Sequence, residues 1–407
     1  MLVKKQKKWR VLSGNFLEFY EFTLFSALIP IIAPILFASK ELVQSYTSGY
    51  LFLLIAFLAR PVGAVFFGYI GDQYGRKKAL LWTILMMSVA TFGLGLLPEK
   101  DPTIIVYFLL AVLRLLQGFS AGGEYFGAGL LIVENHSRKE KYFNGSLLTA
   151  FGLLGASTAS FAAASLVLMD KSTELWRMLF ILGGLIGFLL FFFRVTLQET
   201  HQPVQNSQTW KTLFVNYKRP LFFTIIIGGL MNMPFQMVTS FINTYFIAIG
   251  AYSKPTLMIT NACIILFCAL VTVCFGNLSK KSNPLFMMLM ASGGMALLGV
   301  PLYWLLEKKN FYAFVGAEMT LIMLSQLFVA PAFGVLTQIY PAELRYRGMA
   351  IGVSTGLALF GGGAPYISVF LINQTAISWM PGVYLALLAA LSYICVLNIQ
   401  SRYKLKI

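Results

Sequence analysis

The sequence is poor in charge and in the residues that build catalytic or metal centres. Of its 407 residues, 11% are charged, two are histidines and four are cysteines. Two histidines are too few for a His-based zinc or catalytic centre, and there is no Walker A sequence for ATP. The cysteines lack CxxC or Cys/His spacing, so we expect reduced thiols packed inside helices: Cys263, Cys268, Cys274 and Cys395. These absences argue against an enzyme, and we expect no metal and no cofactor.

The chain has long apolar runs instead. It is 58% hydrophobic with a mean hydropathy of +0.76, which makes lipid its expected solvent. A helix of about 18 or more apolar residues can cross the roughly 30 Å hydrocarbon core of a bilayer. The sequence contains twelve such runs, at 12–37, 46–70, 80–97, 103–133, 143–168, 176–197, 219–249, 255–278, 284–306, 311–339, 349–372 and 376–399. We therefore predict an all-α membrane protein with twelve transmembrane helices.

The net charge of +16 is unevenly distributed between these spans. Of the 31 Lys and Arg residues, 22 fall in segments that are cytoplasmic if the N-terminus is, and 7 fall at the external ends. This bias predicts that both termini are cytoplasmic. It also favours contact with anionic lipid at the cytoplasmic face over a nucleic-acid partner.

Two landmarks recur at nearly the same interval. G-Y-I-G-D-Q-Y-G-R-K-K begins at Gly68 after span two, and G-N-L-S-K-K begins at Gly276 after span eight, 208 positions later. Glu134 closes span four, and Glu343 closes span ten, 209 positions later. Two six-helix pseudo-repeats in the same orientation are therefore expected. The predicted parts are an N-terminal bundle at 1–197, a cytoplasmic linker at 198–218 and a C-terminal bundle at 219–407.

The first landmark resembles the loop 2-3 signature of the major facilitator superfamily, G-x-x-x-D-R/K-x-G-R-R/K. The matching residues are Gly68, Asp72, Gly75, Arg76 and Lys77, whereas Gln73 stands where a basic residue is usual. Three longer strings, G-N-F-L-E-F-Y-E-F, R-P-V-G-A-V-F-F-G-Y-I-G-D and R-L-L-Q-G-F-S-A-G-G-E-Y, resemble the metabolite:proton symporter family within that superfamily. The similarity extends over nearly the whole chain.

The resemblance implies a proton-coupled symporter of a bacterial inner membrane. Its substrate is expected to be a small organic acid or a zwitterionic, amino-acid-like metabolite, imported by alternating access through a monomer. Citrate fits less well because a tricarboxylate needs more cations than Arg60 and Arg114. The osmosensing betaine type is also less favoured, since few residues follow span twelve. Proton-driven efflux stays open as an alternative, and a receptor or sensor on the same fold is a weaker one.

The resemblance also implies a cytoplasmic latch, in which Asp72, Arg76 and Glu134 form an ion-pair network. Its members are Gly68, Asp72, Gly75, Arg76, Lys77 and Glu134. Glycines at 71 and 75 are expected to permit the tight turn. The alternative is that these charges only anchor the topology. The corresponding loop of the second half, L-S-K-K-S-N, lacks the acid and the second glycine, so no matching latch is expected there.

Charged residues inside spans are costly and therefore indicate a functional site. Glu18 and Glu21 share a helical face with Asn15, and Arg114 and Glu124 lie on one stripe of span four. We expect two carboxylates and one arginine to share a pocket in which anion binding at the arginine promotes proton uptake by an acid. The predicted proton-coupling residues are Glu21, the favoured carrier, with Glu18, Arg114 and Glu124.

Other residues complete the predicted site. Span-four glycines are expected to let that helix pack closely on a neighbour: Gly118, Gly122, Gly123, Gly127 and Gly129. Arg60 is expected to bind a substrate carboxylate together with Arg114, or equally to form a fixed ion pair with Glu18 or Glu124. Span seven carries a polar stripe that, with Tyr245, could bind the uncharged part of the substrate or equally pack between helices: Asn232, Gln236, Ser240 and Asn243. Glu318 is expected to be solvated near the outer end of span ten.

Overall fold

A computed structural model describes residues 2–37, 41–98, 104–133, 138–196, 210–308 and 310–403. These residues form α-helices and two π-helical turns, at Met237–Ile242 and Leu357–Gly362, and no β-strand. The α-helices of the described part are α1 (Leu2–Leu36), α2 (Leu42–Tyr74), α3 (Arg76–Gly95), α4 (Ile104–Val133), α5 (Arg138–Leu168), α6 (Ser172–Val195), α7 (Trp210–Asn216), α8 (Lys218–Gln236), α9 (Asn243–Ala248), α10 (Lys254–Leu278), α11 (Pro284–Leu306), α12 (Phe311–Leu336), α13 (Ala342–Gly356), α14 (Ala364–Thr375) and α15 (Met380–Tyr403).

Twelve helical spans in the described residues are long and apolar enough to cross a membrane. Each overlaps one predicted run, so the all-α fold with twelve spans is confirmed. Near the C-terminus, span eleven begins at Glu343, before its predicted start, and span twelve begins at Met380, after its predicted start. Span twelve begins later than predicted because Ala376, at φ 55°, ends α14 in the left-handed conformation of a helix C-terminus.

The chain divides into two compact units. Unit 1 comprises Met1–Gly129, Phe151–Ser207 and Ile242–Leu266, and unit 2 comprises Leu130–Ala150, Gln208–Phe241 and Phe267–Ile407. Each unit thus takes most of one predicted bundle and a short segment of the other. The predicted division at 198–218 remains a prediction, and the described part of that linker includes the short helix α7.

The turn between α2 and α3 consists of one residue, Gly75. Its φ of 101° lies in the region that L-residues with a side chain rarely adopt. Gly71 contributes no turn, because it lies within α2. The glycine requirement of the signature loop is therefore confirmed at Gly75 and wrong at Gly71.

Helix α4 packs closely on α2 through its glycines. A Cβ built on Gly118 would lie 2.9 Å from the Cα of Ala56, and one on Gly122 would lie 2.7 Å from the backbone nitrogen of Ala64. Neither distance is compatible with a real side chain, so both positions need glycine. This contact between α2 and α4 brings Arg60 and the polar stripe of α4 into one layer of unit 1.

Candidate functional site

Within its described residues, unit 1 buries six charged side chains, contributed by α1, α2, α4 and α6. None has more than 8% of its surface exposed: Glu18, Glu21, Arg60, Arg114, Glu124 and Arg194. The charged side chains of spans one, two and four are therefore buried within the protein. Arg194 was not among the expected members. The three acids of this set, Glu18, Glu21 and Glu124, differ in the groups that contact their carboxylates.

Glu18 lies beside Arg60. The carboxylate oxygen Oε1 of Glu18 is 3.6 Å from Nη2 of Arg60, too far for a strong charge-assisted hydrogen bond. The guanidinium of Arg60 also lies 4.1 Å from the ring centre of Phe22 and 5.1 Å from that of Phe57. Of the two ion pairs considered for Arg60, the one with Glu18 is present.

Glu21 is linked to Arg114 through two neutral side chains. The Thr91 hydroxyl donates to Glu21 Oε2 at 2.8 Å, and the Gln117 amide donates to the Thr91 hydroxyl at 2.7 Å. Arg114 Nη1 in turn donates to the Gln117 amide oxygen at 2.6 Å. The acid and the arginine are therefore joined by a continuous chain of hydrogen bonds rather than by direct contact. We call these four side chains the relay chain.

Arg114 is fully buried and lacks an acid partner. Its guanidinium lies 4.0 Å from the ring centre of Phe25 and 5.1 Å from that of Phe22, and Nε donates to the Phe52 carbonyl at 3.4 Å. Nη2 has no hydrogen-bond partner among the described residues, and no described carboxylate forms an ion pair with this arginine. A buried cation without a counter-ion is costly, which makes this guanidinium a candidate anion-binding group.

Glu124 has the most complete set of partners. Its carboxylate forms an ion pair with Arg194, and the Thr83 hydroxyl donates to its second oxygen at 2.7 Å. Arg194 also donates to the Leu80 carbonyl at 3.3 Å. A Cβ on Gly14 would come within 2.9 Å of Glu124 Oε1, so the glycine leaves room for the pair. We call Glu124, Arg194 and Thr83 the paired cluster.

Arg194 corrects the charge count, which placed it among the cytoplasmic loop charges. It lies in the last turn of α6 and is 2% exposed, whereas its neighbours Phe192 and Phe193 are 67% and 64% exposed. The helix thus turns its aromatic residues outward and its arginine inward. The available signal was an arginine inside the predicted run 176–197. Thr91 gave no comparable signal, because a threonine in an apolar span is common.

Glu318 is also buried, at 0% exposure, so the expectation of a solvated acid is wrong. It lies seven residues into α12, where it interacts electrostatically with the buried Tyr303 of α11. Its helix face, rather than its distance from the span end, decides its burial.

The polar residues of span seven do not form one regular stripe. The α-helical spacing is interrupted, because the π-helical turn Met237–Ile242 separates α8 from α9. Half-buried Asn232 donates to the Gly228 carbonyl at 3.0 Å, and half-buried Gln236 accepts from Ser240 at 2.8 Å. Both contacts lie within span seven itself, so they test neither the substrate role nor packing between helices.

The last two residues predicted in span seven lie on α9, in unit 1. Asn243 is 2% exposed. Tyr245 is half-buried, with its ring 5.8 Å from that of Phe246. The substrate role of the span-seven residues stays a prediction.

The predicted latch lies largely outside the described structure. Glu134 is outside the described residues, and for Asp72 and Arg76 only the backbone is described, at the end of α2 and the start of α3. Gly68 is buried within α2, and Lys77 is half-buried in α3. The latch therefore remains a prediction.

All four cysteines are unbridged. Cys268 and Cys395 are buried, as expected for packing thiols, but Cys263 and Cys274 are exposed on α10. The packing expectation is therefore wrong for the second pair.

Comparison with known proteins identifies the family. Residues 11–365 match the family model described as Major Facilitator Superfamily. The chain belongs to the major facilitator superfamily. It is therefore a multi-pass membrane transporter and not an enzyme. The twelve helical spans of the described residues are its membrane-spanning helices.

Two relatives within the superfamily are similar over most of their length. A Staphylococcus aureus (strain COL) protein named "Putative proline/betaine transporter" is 28% identical over 97% of this chain and 88% of its own. The proline/betaine transporter of Escherichia coli (strain K12) is 26% identical over 94% of this chain and 80% of its own. These relatives agree with the resemblance to metabolite carriers read from the motifs.

Solved structures of superfamily members share the fold. A proton:xylose symporter superposes with a TM-score of 0.74 at 12% identity, covering 96% of this chain and 94% of its own. A bacterial homologue of the iron transporter ferroportin superposes with a TM-score of 0.72 at 15% identity, covering 97% of this chain and 99% of its own. At these identities the likeness concerns the fold alone.

Proposed function

We propose that this carrier imports a small zwitterionic, amino-acid-like metabolite together with a proton across a bacterial inner membrane, with both termini in the cytoplasm. One observation carries the proposal: of the three buried acids in the described part of unit 1, Glu21 alone has no cation beside it. Glu18 faces Arg60 and Glu124 is paired with Arg194, whereas Glu21 accepts one hydrogen bond from the neutral Thr91.

The assignment of the proton to Glu21 follows from the cost of burying charge. An ionised carboxylate transferred out of water needs a compensating cation or several donors, whereas a neutral carboxylic acid does not. Glu21 Oε1 has no hydrogen-bond partner in the described structure. A proton on Glu21 removes the uncompensated charge, so protonation and deprotonation are the natural switch at this residue.

The substrate class follows from Arg114. Its Nη2 can donate to a carboxylate, and one available guanidinium fits a substrate with one carboxylate. Arg60 is the second proposed carboxylate contact, already partly engaged by Glu18. Asn243 and Tyr245 of unit 1 are the proposed contacts to the rest of the substrate, and the role of Asn232 and Gln236 stays a prediction from the sequence. The relatives named for proline and betaine make these two zwitterions the first substrates to test.

Coupling between substrate and proton follows from the relay chain. When a substrate carboxylate binds Arg114, the guanidinium reorients toward it and its hydrogen bond to Gln117 weakens. The Gln117 amide and the Thr91 hydroxyl then adjust, and this changes the donor that Glu21 receives. Anion binding at Arg114 and protonation of Glu21 are therefore coupled through two neutral side chains, Gln117 and Thr91.

The experiment is uptake of labelled L-proline and glycine betaine by proteoliposomes under imposed gradients. We expect accumulation with an inward proton gradient, and no accumulation when a protonophore collapses that gradient while a sodium gradient remains. Full accumulation driven by sodium alone contradicts proton coupling. Net movement only against an inward proton gradient indicates export and contradicts the direction.

Glu21→Gln tests the assigned carrier, because glutamine mimics the protonated acid but cannot release its proton. We expect the steady-state accumulation ratio to fall to 1 while counterflow of labelled substrate persists, since counterflow needs only reorientation of the loaded carrier. Glu18→Gln is the matched control and should retain the steady-state accumulation ratio. If Glu18→Gln loses accumulation and Glu21→Gln keeps it, the carrier is Glu18.

A further inference from the structure

A small cavity lies beside the paired cluster of unit 1 and is lined by residues of α1, α3 and α4. Its lining includes Glu18 of α1, Thr83 and Met87 of α3, and Ser120 and Glu124 of α4. Its free space suits about one water molecule. The cavity therefore has an acid of α1 on one side and an acid of α4 on the other, with two hydroxyl-bearing residues between them.

Glu18 is the lining group whose polar atoms lack partners. Both of its carboxylate oxygens are buried without a hydrogen-bond donor in the described part of the chain, and its contact with Arg60 is long, at 3.6 Å. The residue is 2% exposed. The charged groups facing it from the surrounding helices are Arg60, Glu124 and Arg194. Buried polar atoms of this kind are usually satisfied by an ordered water.

Glu124 offers the complementary end of the site. Its two oxygens already accept from Arg194 and from Thr83, and each carboxylate oxygen has a second lone pair. The hydroxyl of Ser120 donates to the Gln117 carbonyl of its own helix and lies 3.6 Å from the sulfur of Met87. A water in the cavity thus has the carboxylate oxygens of two acids as its partners, and the Ser120 hydroxyl, already engaged within its own helix, is not required for the site.

We propose that the cavity is a water site through which Glu18 exchanges a proton with Glu124. Glu18, one helical turn from Glu21 on the same face, gives its proton to the water and becomes a carboxylate. The water passes one of its protons to Glu124, which becomes a carboxylic acid, and the water is unchanged. The net result is the transfer of one proton from Glu18 of α1 to Glu124 of α4. The route rests on the proposed proton coupling, whereas the water site does not.

The water site can be tested by X-ray hydroxyl-radical footprinting, in which radicals formed from bound water oxidise the side chains that it touches. Met87 is 4% exposed, so it is largely shielded from bulk solvent. We expect Met87 to be oxidised much faster than Met288 and Met295, which are fully buried and do not line this cavity. Equal protection of all three methionines overturns the water site.

Ser120→Leu tests the route, because the larger apolar side chain fills the cavity while adaptable Met87 can make room for it. We expect oxidation of Met87 to fall and the initial rate of net uptake to drop about tenfold, with counterflow within about twofold of wild type. The final accumulation ratio should stay unchanged, since a slowed proton step alters rate and not coupling. Ser120→Ala, which leaves the space open, is the matched control and should behave as wild type.

The outcomes separate this proposal from the proposed function. Normal net uptake by Ser120→Leu, with Met87 oxidation suppressed, overturns the proton route. Loss of counterflow as well as uptake also overturns it, because a proton route is not needed for exchange. If wild-type uptake ignores the proton gradient, the proposed coupling and the route both fail. Met87 oxidation then still decides whether the cavity is a water site.

Discussion

The relay chain and the paired cluster lie in the same unit, yet the buried carboxylates of Glu21 and Glu124 are compensated by different groups. In the paired cluster, Glu124 receives both a cation and a hydroxyl donor, from Arg194 and Thr83. In the relay chain, Glu21 receives only a hydroxyl donor, and the arginine stands three hydrogen bonds away. Full compensation makes the ionised carboxylate the resting form of Glu124, whereas incomplete compensation favours a protonated Glu21.

This difference separates a structural role from a transport role. Removing one partner of a buried ion pair is strongly destabilising, since the other charge is left alone. Replacing a member of the relay chain should cost less stability, because its acid and its arginine do not form a direct ion pair that the change could break. The four predictions that follow test this contrast, from the largest expected effect to the smallest.

The largest effect is expected from Arg194→Leu, which leaves Glu124 buried without its cation. The expected loss is about 3–5 kcal/mol in the free energy of unfolding, measured as a lowered thermal midpoint in detergent. The double variant Arg194→Leu with Glu124→Leu should recover most of that loss, because it leaves no lone charge. If the single variant is as stable as wild type, the paired cluster does not hold the helices together.

Arg114→Lys should affect transport rather than stability. Lysine keeps the charge but loses the planar fork that donates to Gln117 and to a substrate carboxylate together. We expect transport to fall about 100-fold, equivalent to about 2.7 kcal/mol, with little change in thermal midpoint. The measurement is initial uptake of the two labelled zwitterions. Uptake close to wild type would show that the guanidinium is not the anion site.

Thr91→Val breaks the relay chain at a neutral link. The valine has nearly the same shape but leaves the Gln117 amide and Glu21 without their shared hydroxyl, at a cost of about 1–3 kcal/mol. We expect net uptake to fall about tenfold and its pH profile to shift. Thr91→Ser, which restores the hydroxyl, should return both toward wild type. An unchanged pH profile in Thr91→Val assigns Thr91 to packing alone.

The smallest effect is expected from the equivalent change in the paired cluster, Thr83→Val. Glu124 keeps its ion pair with Arg194, so the loss of one hydrogen bond should cost only about 0.5–1.5 kcal/mol of stability. The accumulation ratio should stay at the wild-type value. A coupling defect in Thr83→Val as large as that in Thr91→Val would remove the distinction between the two acids.

The sequence predicts much of the fold because its evidence is local. An apolar run long enough to span a bilayer forms a helix whatever its neighbours are, and all twelve runs were found near their predicted bounds. The glycine in the signature turn and the close packing of Gly118 and Gly122 follow from the same kind of evidence. The burial of Glu18, Glu21 and Arg60 also follows, since a charge inside a span must avoid lipid.

The partners of those charges were decided by the tertiary structure. Arg194 and Thr91 come from spans six and three, far in sequence from the acids that they contact, and helical spacing on one span does not reveal which side chain a neighbouring helix presents. The burial of Glu318 likewise depends on which face α12 turns toward its neighbours, and the position of the residue within its span does not reveal that face. The sequence determined that acids and arginines lie within the membrane-spanning bundle. The packing and rotation of the helices determined which acid received a cation, and thus which was left without a compensating charge.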